Sequence, residues 1–83
     1  YRDRSFEVDF LVTKGGVVEE LYQVCYDMTN EKTRKREINS LLQGAKKFHC
    51  QNLTIITFAE EMEELRDNYI IKVIPVTKWL LNP

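Results

Sequence analysis

The stretch from Phe6 to Met28 constrains this chain most, because its pattern fits two strands joined by a glycine turn. Apolar and polar side chains alternate along its first half, which is the period of a β-strand. The alternating apolar residues are Phe6, Val8, Phe10 and Val12. Lys14-Gly15-Gly16 supplies the turn, since glycine adopts positive φ without steric cost. The return run, Val17 to Tyr26, is mostly apolar from Leu21 onward, which favours an interior strand covered on both faces.

The length of the turn decides which side chains meet across the hairpin. A three-residue loop, Lys14 to Gly16, places Asp9 opposite Leu21, whereas a two-residue loop reverses which side chains share a face. We predict the three-residue loop. Four side chains that can carry chemistry then share one face of the hairpin: Glu7, Asp9, Gln23 and Cys25.

A crossover unit follows the hairpin. The segment Thr29-Asn30 offers a helix N-cap, and we predict a helix from Glu31 to Phe48. Apolar residues recur there at three- and four-residue spacing, as expected of a helix that packs on a sheet: Ile38, Leu41, Leu42, Ala45 and Phe48. The β-rich run Asn52 to Phe58 predicts the next strand. A strand, a helix and a strand in this order predict two parallel strands with a right-handed connection.

The last third of the chain predicts an edge and a closing helix. Ala59 to Asn68 is acidic and fits a loop or a short, solvated edge strand that turns at Asp67-Asn68. Tyr69 to Ile74 predicts another strand, and Pro75 can begin a short helix, Val76 to Leu81. We expect Trp79, Leu80 and Leu81 to cap the sheet. The predicted architecture is a mixed α/β sheet of four or five strands, a β-hairpin followed by a β-α-β crossover.

Length and charge limit the range of functions. Eighty-three residues make one domain with one modest core. A formal net charge of -1 argues against a surface built entirely for polyanions. Two cysteines without a disulfide framework, and no long apolar run, predict a cytoplasmic protein without a membrane partner. Because the chain begins at Tyr1 and not at Met, we expect residues 1–83 to be a single domain of a longer polypeptide.

Three segments, in this order, resemble a known family: Phe6 to Phe10 with the glycine turn, Leu21 to Asp27, and Ile71 to Leu81. They resemble the PD-(D/E)XK nuclease superfamily. More narrowly, they look like the C-terminal nuclease-like domain of prokaryotic, archaeal-type AAA+ ATPases. The resemblance implies a restriction-endonuclease-like core, and an ATP-binding ATPase body in the same parent chain as a partner.

The resemblance also implies a catalytic site, from which this sequence departs. In active members an aspartate and a glutamate hold Mg²⁺, and a lysine two residues after the glutamate activates the attacking water. Asp9 matches the aspartate, whereas Gln23 stands where the glutamate would be and Cys25 where the lysine would be. Gln23 contributes no charge to a metal site, and a thiol cannot act as an ammonium. We therefore expect vestigial catalytic positions, with Asp9 and Glu7 as the residual candidates for Mg²⁺ or as satisfied polar residues at a sheet end.

A cluster of cations at the start of the predicted helix suggests a binding surface. It comprises Lys32, Arg34, Lys35 and Arg36. Cations in a first helical turn oppose the helix dipole, so they favour an anionic partner such as phosphate or the Glu60 to Glu64 run. We predict that they contact nucleic acid; a solvated outer helix face is the alternative.

Three functions remain open. The leading interpretation is a catalytically degenerate nuclease-fold accessory domain of an AAA+ ATPase, acting by binding DNA or protein. The first alternative is a weak Mg²⁺- or Mn²⁺-dependent DNA nuclease that uses Asp9, Glu7 and Gln23. The second is a structural docking or dimerisation domain, hence a homo-oligomer, that uses the edge near Glu60 to Ile74.

Overall fold

The computed structural model describes residues 8–81 as a five-stranded mixed sheet with two helices. The strands are β1 (Phe10–Lys14), β2 (Val17–Val24), β3 (Leu53–Thr57), β4 (Met62–Arg66) and β5 (Tyr69–Pro75); the helices are α1 (Glu31–Phe48) and α2 (Val76–Leu81). The strand order is β1-β2-β3-β5-β4, with β2, β3 and β5 parallel and both edge strands antiparallel to their neighbours. The predicted mixed α/β sheet and its β-α-β crossover are confirmed. In this part of the chain, neither helix has the length and apolarity needed to cross a bilayer.

Helix α1 has the predicted bounds. The side chain of Asn30 accepts a hydrogen bond from the backbone N–H of Thr33 at 3.0 Å, which satisfies one of the free donors of the first turn. The chain leaves the helix through His49, which adopts a left-handed conformation with φ of 54°. The buried stripe includes Ile38, Leu41 and Ala45, and it packs on the sheet.

The hairpin turn differs from the prediction. Gly15 and Gly16 have φ of 58° and 80°, and Lys14 pairs with Val17, so the loop has two residues and not three. Two successive positive φ angles are typical of the type I′ turn, whose twist matches that of the flanking strands. On its own, the two-residue loop would reverse which side chains share a face of the hairpin. A β-bulge in β2 restores the predicted faces, because the partner changes from Val18 at Thr13 to Glu20 at Val12.

The core lies between α1 and one face of the sheet. Leu21, Gln23 and Cys25 of the return run are buried on that face, whereas Tyr22 and Val24 on the other face are half-buried. The prediction that this strand is covered on both faces was therefore wrong for the second face. The reason is that α2 has only six residues and covers only part of that face.

Trp79 is the residue through which α2 contacts the first two strands. Its ring centroid lies 6.2 Å from those of Phe10 and Tyr22, which stack on each other at 4.9 Å. Leu80 and Leu81 are 64% and 80% exposed, so the prediction that they cap the sheet was wrong.

The acidic stretch after β3 forms the predicted edge. β4 lies outside β5 in the sheet, and the chain turns between them at Asp67 and Asn68, with φ of 50° and 68°. The hydroxyl of Thr57 donates to the backbone carbonyl of Glu60 at 2.7 Å and fixes the connection from β3.

Candidate functional site

A polar cleft of about 260 Å³ opens where β2 ends, between the start of β1 and the side of α1. Its lining residues are Asp9, Gln23, Val24, Arg36, Glu37 and Ser40. Asp9 and Gln23 meet here because the bulge in the hairpin brings them onto adjacent positions of neighbouring strands. The structure thus brings together two of the residues predicted for the site.

The amide of Gln23 connects β1 to α1. The side chain is 3% exposed, and its Oε1 accepts a hydrogen bond from the backbone N–H of Asp9 at 2.8 Å. At its other end, Nε2 donates to Oε2 of Glu37 at 2.8 Å. A buried amide with both ends satisfied stabilises its surroundings, whereas an unsatisfied one would cost about 1–3 kcal/mol.

The carboxylate of Asp9 forms a second contact with β2. Its Oδ2 accepts a hydrogen bond from the backbone N–H of Val24 at 2.7 Å. The backbone N–H of Asp9 therefore donates to the side chain of Gln23, and the carboxylate of Asp9 accepts from Val24, the residue after Gln23. This reciprocal pair fixes the first residues of the hairpin against the end of β2.

Glu37 is the acidic cleft residue that the sequence did not identify as a site residue. Its side chain is 17% exposed, and its Oε1 lies 3.5 Å from Nη2 of Arg36. The spacing contained a signal, because Glu37 lies four residues before the buried Leu41 and thus borders the apolar stripe of α1. Its neighbours along the chain, Arg36 among them, made it look like a solvated acid in a basic helix.

Cys25 cannot substitute for a catalytic lysine. The thiol is buried and donates to the backbone carbonyl of Asp27 at 3.4 Å. Burial raises the pKa of Cys25, and the negative charge of Glu37 raises it further. The side chain is therefore a neutral thiol at neutral pH.

The carboxylate pair that the resemblance implies for Mg²⁺ is incomplete in this cleft, because Gln23 stands in place of the glutamate. Between positions 8 and 81, no group of three or more histidine, cysteine, aspartate or glutamate side chains is placed to hold a metal. Asp9 and Glu37 supply two carboxylates, but the amide of Gln23 hydrogen-bonds to both residues and adds no charge. Glu7, predicted as the second metal residue, lies outside the described residues.

The four residues of the predicted basic cluster do not all lie on one exposed surface. Arg34 forms an ion pair with Glu64 of β4, and its Nη2 also lies 3.2 Å from Sδ of Met62. Arg34 thus pairs with the acidic run, the other anionic partner named from the sequence, while its contact with phosphate stays a prediction that we leave out of the proposed surface. The cause is helical spacing, since Arg34 lies four residues before the buried Ile38 and shares its face.

The other three cations remain on the outside of α1. Lys32, Lys35 and Arg36 are exposed. Lys35 lies 3.5 Å from Glu31, one turn earlier, and both side chains are largely solvated. Such an exposed pair contributes only about 0.3–0.5 kcal/mol, so Lys35 can exchange Glu31 for another anion at little cost.

Comparison of the chain with protein-family models, with curated proteins and with solved structures finds no match. The resemblance to the nuclease-like domain of AAA+ ATPases thus rests on the two hairpin strands, the glycine turn and the C-terminal segment of the sequence itself.

Proposed function

We propose that this chain is a catalytically degenerate nuclease-fold domain, an accessory module of an AAA+ ATPase, that acts by binding and not by hydrolysis. The observation that supports this most is the amide of Gln23, which hydrogen-bonds to Asp9 on one side and Glu37 on the other. At the position where the resemblance implies a metal ligand, Gln23 instead stabilises the fold through these two hydrogen bonds.

The chemistry of the cleft supports the same conclusion. A hard cation such as Mg²⁺ needs several oxygen ligands, with carboxylates to supply the negative charge. Here one carboxylate oxygen of Asp9 accepts from the backbone of Val24, and one of Glu37 accepts from Gln23. A neutral thiol stands where the resemblance implies an ammonium. Water activation for phosphodiester cleavage therefore lacks the basic group, and one oxygen of each cleft carboxylate already accepts a hydrogen bond within the chain.

The outer face of α1 is the binding surface that we propose for nucleic acid. Lys32 and Arg36 are one helical turn apart and point to the same side, and Lys35 lies beside them. Three cations on one exposed face suit the phosphates of a nucleic-acid backbone, which are recognised without sequence information. The net charge of -1 makes this attraction local to the helix.

The test is the binding of fluorescently labelled duplex and single-stranded DNA to the full 83-residue chain, followed by anisotropy as salt is raised. Contact through three cations predicts a slope of log affinity against log salt of about -2 to -3. An affinity that does not change with salt, or no binding at low salt, would overturn the nucleic-acid proposal in favour of a protein-docking domain.

A further inference from the structure

The two edges of the sheet are protected very differently against pairing with another chain. At one edge, β4 carries three charged residues, Glu63, Glu64 and Arg66. At the other edge, β1 has the sequence Phe-Leu-Val-Thr-Lys and contains no acidic residue. Charged side chains prevent edge-to-edge association, whereas a β-prone edge without them is a template for it. The one charged residue of β1, Lys14, lies at its end beside the turn, so among residues 8–81 β1 is the less protected edge.

The backbone of β1 is arranged to accept another strand. In a hairpin closed by a two-residue turn, the closing pair, Lys14 and Val17, exchanges hydrogen bonds across the ladder. Alternate residues of β1 therefore face β2, and the backbone groups of Leu11 and Thr13 face away from it. No other strand of residues 8–81 lies beyond β1.

We propose that β1 pairs antiparallel with β1 of a second copy of this chain and so joins two five-stranded sheets. Full overlap of two identical antiparallel strands sets Val12 opposite Val12. It also sets Leu11 opposite Thr13 and Phe10 opposite Lys14 of the second copy. No like charges oppose each other in this register, and Leu11 and Thr13 exchange backbone hydrogen bonds.

The same operation on β4 is unfavourable, which is why the pairing selects β1. Full antiparallel overlap of two β4 strands sets Glu64 opposite Glu64, and like charges directly opposite each other destabilise a ladder. Glu64 already pairs with Arg34 inside its own chain.

The side chains around β1 fit a partner that is itself apolar. Val12 is 38% exposed, and Phe10 and Leu11 are partly buried. A second copy brings the same apolar groups to the same edge, so each chain covers the other. With five residues in the strand, the contact is small, and we expect a dimer that forms at high concentration and dissociates on dilution.

Sedimentation of the full chain over a range of concentrations tests the dimer. The wild-type mass is expected to rise from 9.9 kDa toward twice that value. Val12→Lys sets two cations opposite each other and is expected to remain a single chain, whereas the control Val17→Lys, also an exposed valine but outside β1, behaves as wild type. A wild-type chain of constant single-chain mass would overturn the proposal.

A crosslink tests the register independently of affinity. Val12 opposite Val12 is a pair without hydrogen bonds, whose short Cα separation suits a disulfide. Val12→Cys is expected to form a disulfide-linked dimer under mild oxidation, and Leu65→Cys on the opposite edge is not. Cys25 and Cys50 are buried and do not compete. Equal crosslinking of the two variants would contradict the proposed edge.

Discussion

The side-chain oxygen of Gln23 lies 2.8 Å from the backbone nitrogen of Asp9, across the first two strands of the sheet. This bond occupies the position at which the family resemblance implies a metal ligand. Together with the bond from Gln23 to Glu37, it ties β1, β2 and α1 into one unit. The candidate site is consequently part of what stabilises the fold.

Gln23→Glu is expected to destabilise the chain at neutral pH. In the wild-type chain, Nε2 of Gln23 donates to Glu37 at 2.8 Å in a buried site. A carboxylate there cannot donate, so two like charges would face each other. We expect the free energy of unfolding to fall by about 2–4 kcal/mol. Urea denaturation at pH 7 measures the loss, which should shrink at lower pH as a carboxyl of the pair takes up a proton. Gln43→Glu, on the exposed side of α1, should change stability by no more than about 0.5 kcal/mol.

Arg34→Gln is expected to cost stability and to leave DNA affinity unchanged. Its guanidinium pairs with Glu64, whose side chain is 17% exposed and whose Oε2 is buried without a hydrogen-bond partner among the described residues. Removing this cation leaves a poorly solvated carboxylate with only the exposed Arg66, 3.7 Å away, as a charged partner, at a cost of about 1–3 kcal/mol. Thermal denaturation and the anisotropy assay on the same preparation give the two readings. A weakened DNA affinity in the folded variant would place Arg34 on the binding surface after all.

Lys32→Gln and Arg36→Gln should leave stability nearly unchanged and weaken DNA binding. Both side chains are exposed on the outer face of α1, so the free energy of unfolding should change by about 0.5 kcal/mol at most. Each substitution should weaken DNA binding and reduce the salt slope by about one, because each removes one phosphate contact. A double variant with an unchanged slope would rule out this face of α1 as the site of phosphate contact.

Stability should fall in alkaline solution, in part through Cys25. Because the pKa of this thiol is raised in the folded chain, its contribution is fully present below the pKa of an unfolded cysteine, about 8.5. It is lost as the pH rises through the higher folded value, since the unfolded chain ionises first. Denaturation curves between neutral and alkaline pH should show a smaller decline for Cys25→Ala than for wild type. Equal declines would mean that the thiol is not desolvated.

Local patterns were sufficient to predict most of the fold. The bounds of α1 follow from the cap at Asn30 and the apolar stripe, and the edge position of β4 follows from its charges. The turn was mispredicted because Lys14-Gly15-Gly16 is compatible with two loop lengths, and only the twist of the paired strands selects between them. The bulge at Glu19 has no local sequence signal, yet it determines which side chains face the cleft.

The candidate site was predictable only where its residues lie on the hairpin. Strand alternation could place Asp9 and Gln23 on one face, but Glu37 reaches the cleft through the packing of α1 on the sheet, which no short spacing encodes. Arg34 shows the same limit. Its neighbours suggested a basic surface, whereas its place on the buried side of the helix directs it to Glu64.

The most direct measurement for the central claim is nicking of supercoiled plasmid by the purified chain in Mn²⁺, with Asp9→Asn alongside. This variant keeps an oxygen that can accept from the backbone of Val24, so it preserves the fold while removing the charge. A binding domain without a metal site predicts no nicking above the protein-free control for either chain. Nicking by the wild-type chain that Asp9→Asn abolishes would contradict the account and show that this cleft still catalyses hydrolysis.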